Sequence, residues 1–158
     1  MNGKLLLVLL TSIFLHSHSK LHAQDINKKY DLIKMYETIL KEKGYENVHI
    51  DSDLDLQFEY KGDKYYVGVY AGGKTNFNLV CFNHAKVNYD LPTKEAYRVC
   101  AEVSAESPLV KAYISDSDIW FTCELMFSDP KELLVHFTKY LDDIEAAMKL
   151  FDSKYTSN

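Results

Sequence analysis

LDLQFEYKGDKYYVGVY, Leu54–Tyr70, decides the fold. Leu54, Leu56, Phe58 and Tyr60 alternate with Asp55, Gln57 and Glu59, the period-two pattern of a strand buried on one face. Lys61-Gly62-Asp63 is a turn, and Lys64–Tyr70 is the next strand. So short a connection makes the two strands antiparallel neighbours. Upstream, Val48 and Ile50 alternate with Asn47 and His49 and predict another strand. Downstream, Ala71-Gly72-Gly73-Lys74 turns the chain into a strand over Asn76–Val87. That strand carries Phe77, Leu79 and Cys81 on one side and Val80 and Phe82 on the other, with Cys81 expected to point inward.

Val110–Ser115 and Ile119–Phe127 predict a second hairpin. Ile119, Phe121, Cys123, Leu125 and Phe127 share one face of it; Trp120, Thr122, Glu124 and Met126 share the other. Three amphipathic helices complete the pattern. Ile26–Lys43 repeats Tyr30, Ile33, Tyr36, Ile39 and Leu40 at helical spacing, turns Asp31 and Lys34 to water, and ends at Gly44, which suits a left-handed stop. Pro92 opens a second helix with the stripe Ala96, Val99, Cys100 and Val103, and Pro108 stops it. Asp129-Pro130-Lys131-Glu132 starts the last helix, with Asp129 as cap and Glu132 bonding back to it. Its stripe is Leu133, Phe137, Tyr140, Leu141, Ile144, Met148 and Phe151. The order α-β-β-β-β-α-β-β-α predicts an α+β fold: a single, mostly antiparallel sheet with the N-terminal, middle and C-terminal helices on one face and the other face partly open.

Asp-Ser-Asp occurs twice, at Asp51–Asp53 and Asp116–Asp118, each time between apolar runs. A calcium hand needs Gly at its sixth position and Glu at its twelfth. Counting from Asp51 those positions hold Leu56 and Gly62; counting from Asp116 they hold Phe121 and Phe127. Both clusters fail. Asp and Ser bond nearby backbone groups and tolerate turn dihedrals, so both clusters read as hairpin bends.

The chain has 158 residues, enough for one domain. Its first segment reads as a secretory signal peptide: a basic start at Met1–Lys4, the apolar run Leu5–Leu15, then a polar stretch with Leu21-His22-Ala23 as the cleavage site. Residues 1–23 are therefore assigned to the signal and residues 24–158 to the domain. No later segment is apolar enough to span a bilayer. Removal of Lys4 and Lys20 leaves 16 Lys+Arg against 23 Asp+Glu, a formal −7. An acidic chain without basic clusters is a poor partner for nucleic acid or anionic lipid. Periplasmic or secreted localisation follows from the signal.

Cys81, Cys100 and Cys123 lack metal-ligand spacing. They read as small buried hydrophobes, with Cys100–Cys123 the pair to test for a disulfide. Only His49, His84 and His136 lie beyond the signal, and no nucleophile, zinc, phosphate or dinucleotide motif accompanies them. No residue set calls for a cofactor, a metal or a catalytic role. One feature asks for a function: Tyr66, Tyr70, Trp120 and Met126 alternate away from the core-facing residues of their strands. An exposed aromatic and methionine patch of that kind is a candidate binding surface.

Three stretches together resemble the YbjN family, whose fold is similar to type III secretion chaperones: YETILKEKGYENVHIDSDLDLQFEYKGDKYYVGVY (Tyr36–Tyr70), EAYRVCAEVSAESPLVKAYISDSDIWFTCELMF (Glu95–Phe127) and DPKELLVHFTKYLDDIEAAMKLF (Asp129–Phe151). The resemblance implies a regulator or chaperone-like binder and supplies no catalytic residues. Its members are largely cytoplasmic, and the signal peptide departs from that. The expected function is thus an exported, non-enzymatic module for a protein or peptide partner in the cell envelope, held by the open sheet face or by a sheet edge. Homodimerisation is a second expectation, because chaperones of similar fold dimerise. The alternatives are an enzyme or small-ligand protein with a site assembled from distant residues around His49 or His84, and a cystatin-like inhibitor acting through hairpin tips such as Asp51–Asp53.

Overall fold

Tyr60 and Asp63 pair across Lys61-Gly62, and both turn residues have positive φ, 53° and 86°. That is the two-residue hairpin whose twist matches the strands it joins, and Gly62 takes the left-handed position without a side-chain penalty. The computed structural model that contains this hairpin describes residues 27–70, 78–86, 93–115 and 118–155. From it the sheet builds outward. The strands are β1 (Glu46–Ile50), β2 (Leu56–Tyr60), β3 (Asp63–Tyr70), β4 (Asn78–Lys86), β5 (Val110–Ser115) and β6 (Asp118–Phe127). They form one six-stranded sheet in the order β1-β2-β3-β4-β6-β5, with every neighbouring pair antiparallel.

The helices are α1 (27–42), α2 (Lys94–Glu106), α3 (Glu132–Val135) and α4 (Phe137–Tyr155). Helix α1 ends as its sequence predicts. Gly44 has φ 81°, the Tyr45 N–H donates to the Leu40 carbonyl and the Gly44 N–H to Lys41, both at 3.1 Å. Those two bonds satisfy carbonyls the helix end would otherwise leave open. Helix α2 is capped by Thr93, whose hydroxyl accepts the Ala96 N–H at 3.0 Å; Pro92, the predicted start, lies outside the described residues.

The predicted last helix is interrupted. His136 has φ −116° and ψ 14°, which separates α3 from α4. The Asp129 carboxylate accepts the Lys131 N–H at 2.9 Å, while the N-cap of α3 is Lys131, which makes no side-chain cap bond. Leu133 and Phe137 are nevertheless both buried, so the break re-aims the chain while the stripe stays in the core. Two further expectations fail at element ends. Tyr30 is 43 % exposed, with the Lys34 ammonium 5.8 Å from its ring centre. Leu54 lies before β2 with φ 60°, in the bend, so the apolar alternation begins one step later at Leu56.

The core lies between one sheet face and the helices. Phe82 on central β4 meets Phe137 edge-on at 5.0 Å, and Phe137 also meets Phe58 at 5.6 Å. Further along α4, Phe151 meets Phe121 of β6 at 5.9 Å. Helix α4 therefore crosses the sheet from β2 to β6. Each fully buried aromatic contributes about 1.5–3 kcal/mol from area alone. Helix α2 packs on β5 and α4 through Val99, Cys100 and Val103. Helix α1 adds Ile33, Tyr36 and Leu40, and the Tyr36 hydroxyl donates to the Pro130 carbonyl at 3.0 Å.

Both sheet edges are blunted. Edge strand β1 is short and slips register between Glu46 and His49, where Asn47 has φ 52°. On edge strand β5 the Ala112 N–H donates to the Ser104 hydroxyl at 2.8 Å, and that hydroxyl donates to the Ala112 carbonyl at 3.1 Å. A bulge and a side-chain cap of this kind deny a further strand its ladder.

Candidate functional site

Strand pairing lays out the sheet face opposite the core, here called the outer face. Tyr70, Leu79 and Met126 are direct neighbours across β3, β4 and β6. Tyr70 is 63 % and Met126 62 % exposed. Two positions along each strand, Gly68, Cys81 and Glu124 form the next row. Then come Gln57, Tyr66, Asn83, Thr122 and Lys111. Last are Lys64, Ala85, Trp120 and Tyr113. The Tyr66 and Trp120 rings touch at 5.8 Å between centroids, tilted by 51°.

The structure thus places all four singled-out residues, Tyr66, Tyr70, Trp120 and Met126, on one surface, in two groups rather than one. It adds Tyr113, 42 % exposed and paired with Trp120, which the reading of β5 as a strand did not assign to a face. The alternation of Val110 and Ala112 with Lys111 and Tyr113 carries that signal.

Polar groups lie between the two aromatic ends. Lys111 pairs with Glu124 at 2.6 Å. Lys29 of α1 donates to Asp55 at 3.3 Å and lies 5.9 Å from the Tyr70 ring centre. A Cβ at Gly68 would meet Asp55 Oδ1 in ordinary contact, at 3.4 Å. Partial burial raises the Tyr70 and Tyr113 phenols above their ordinary value, and the neighbouring Cys81 and Glu124 add to the rise. Both phenols are neutral donors at physiological pH.

Cys81 corrects an expectation. It sits on the outer face, beside Gly68 and Glu124, while Val80, Phe82 and His84 point into the core. Both faces of central β4 are apolar, so alternation alone cannot say which is inward. Burial, with Glu124 and Asp55 close by, pushes its thiol up to about 11, the reverse of an activated nucleophile. His84 is on the opposite face, its Nδ1 2.9 Å from the Lys64 carbonyl. A Cys81–His84 pair is therefore ruled out by geometry. Cys100 and Cys123 are buried free thiols, not a disulfide.

His49 is exposed and lines an open groove of about 430 Å³ with Gln57, Glu59 and Lys64. It does not converge with buried His84, and His136 is exposed at the α3–α4 break. The Asp51 cluster is a bend. The Asp51 carboxylate accepts from the Asp53 N–H at 3.0 Å, the Asp55 N–H at 2.9 Å and the Gln57 amide at 2.7 Å. In the second cluster β5 and β6 close with Ser115 opposite Asp118; Asp116 and Ser117 lie outside the described residues. Among the described residues no three His, Cys, Asp or Glu side chains are placed to hold a metal, and no helix is long and apolar enough to cross a membrane.

One family model, YbjN, described as "Putative bacterial sensory transduction regulator", matches residues 33–149. That span takes in all six strands and so the whole outer face. The description names a regulator and no catalytic activity. No curated protein and no solved structure matches the chain.

Proposed function

We propose, from the premise that this chain belongs to the YbjN family, that it is a non-enzymatic, chaperone-like module that holds a protein or peptide on the outer face of its sheet. The observation that carries this is exposed Tyr70 and Met126 at one end, and Tyr66, Trp120 and Tyr113 at the other, of the sheet face opposite the core. Apolar and aromatic surface left in water is stabilised by a partner that removes it from solvent. The blunted edges favour the face over edge-strand addition as the mode of capture. The run Leu5–Leu15 supports work in the periplasm or outside the cell, with an envelope protein as partner.

The test compares the envelope proteins retained by immobilised wild type and by Trp120→Ala, each as residues 24–158. Loss of specific proteins from the variant supports the face. Identical proteins retained at identical affinity would refute it.

A further inference from the structure

The two aromatic ends of the outer face are separate. Met126 and Trp120 lie on the same strand six residues apart, which sets their side chains about 20 Å from each other. Tyr70 and Leu79 flank Met126; Tyr66 and Tyr113 flank Trp120. Between the ends, on that strand, stand Glu124 and Thr122, with Lys111 bonded to Glu124 and Asn83 opposite Thr122. A continuously apolar occupant, such as a lipid chain or a greasy helix stripe, would strip water from that ion pair without replacing it.

We infer that the outer face reads an extended peptide with two apolar anchors six residues apart and polar residues between them. This rests on the reading of the outer face as the binding surface. In an extended chain, alternate side chains point the same way at the same rise per residue as β6. Positions i, i+2, i+4 and i+6 then all face the sheet. An apolar residue i enters the Met126 end and an apolar residue i+6 the Trp120 end. Residue i+2 lies over the Lys111–Glu124 ion pair, so a polar residue that replaces its water fits there. Residue i+4 lies over Asn83, beside buried Thr122, where Ser, Thr or Asn fits. Asn83 and Lys111 also offer hydrogen-bond partners that an extended backbone needs and a helix does not.

Trp120 is the sole tryptophan in the chain, so its emission reports on ligands that lack one. The probe is the labelled heptapeptide Leu-Ser-Lys-Ser-Thr-Ser-Leu. It is compared with peptides whose two leucines are three or nine residues apart, and with a one-leucine peptide. Fluorescence anisotropy with residues 24–158 gives affinity, and Trp120 emission gives location. The six-residue spacing should bind at least about tenfold tighter than the others. Met126→Lys and Tyr113→Ala should each reduce it to the one-leucine level. Both sites are exposed, and matching circular dichroism checks that the variants fold. Binding that ignores spacing but is weakened by these variants overturns the two-anchor inference and keeps the face as the site. Binding that ignores the variants, or no binding at millimolar peptide, overturns both.

Discussion

Replacing Asp51 by Ala separates a bend from a metal loop. The Asp51 carboxylate accepts three hydrogen bonds, from the backbone of Asp53 and Asp55 and from the Gln57 amide. A net bond contributes about 0.5–1.5 kcal/mol, and the site is half-exposed, so water partly replaces what is lost. The expected cost is about 1.5–2.5 kcal/mol. Asp53 is exposed and makes these contacts through its backbone: its N–H donates to Asp51 at 3.0 Å and its carbonyl accepts from Lys29 at 3.2 Å. Asp53→Ala should therefore stay within about 0.5 kcal/mol of wild type. In urea, with a slope of about 1–3 kcal/mol per molar for a small domain, Asp51→Ala moves the midpoint down by roughly 1 M with an unchanged slope. Calcium and chelator leave all three curves where they are.

The pH dependence has a definite sign. Partial burial alone would raise the Asp51 carboxyl, but the Gln57 amide and the two backbone N–H groups hold it below the usual value. Its contribution is present above the unfolded pKa near 3.9 and is lost as pH falls through the lower folded value. Asp51→Ala should therefore narrow its gap to wild type in strong acid. Equal costs at Asp51 and Asp53, or a midpoint that rises with calcium, would refute the reasoning.

Other outcomes follow from the core and the edge. Burial lowers the His84 pKa, so the unfolded chain binds the extra proton first and stability falls as pH drops through about 6.5, levelling off below the folded value; His84→Gln should remove that slope, at most about 1.4 kcal/mol per pH unit, in urea titrations from pH 5 to 7. Ser104→Ala uncaps the Ala112 N–H and carbonyl on β5, costs about 1–3 kcal/mol, and should produce concentration-dependent association in sedimentation velocity. Burial pushes the Cys100 thiol up to about 11 and the Cys123 thiol up to about 12, so a thiol reagent should react slowly with the native chain and count three thiols once urea is added; a count of one would mean a disulfide.

Much of the architecture is written in local patterns. The alternation through Phe58 and the turn at Gly62 are contiguous, as are the stripe from Ala96 to Val103 and the long stripe ending at Phe151. What alternation cannot encode is which side of a doubly apolar strand faces inward, and Cys81 shows the cost. Nor does a helical stripe reveal a kink such as His136, because Leu133 and Phe137 keep their spacing on both sides of it. The outer patch was legible strand by strand through Tyr66, Tyr70, Trp120 and Met126. Its division into two ends depends on which strands are neighbours, and pairing β4 with β6 rather than β5 is a long-range choice. The Ser104 cap is likewise invisible until α2 lies against β5.

The bulged margin at Asn47 and the capped margin at Ala112 govern what crowding can do to such a protein. A sheet that cannot lengthen sideways has no route to cross-β fibres while it stays folded. Copies that met broadside through the outer patch would use it up once a twofold pair had formed. Self-association through that patch would stop at a finite particle, and under the proposed function a bound peptide would compete with the second copy for the same surface.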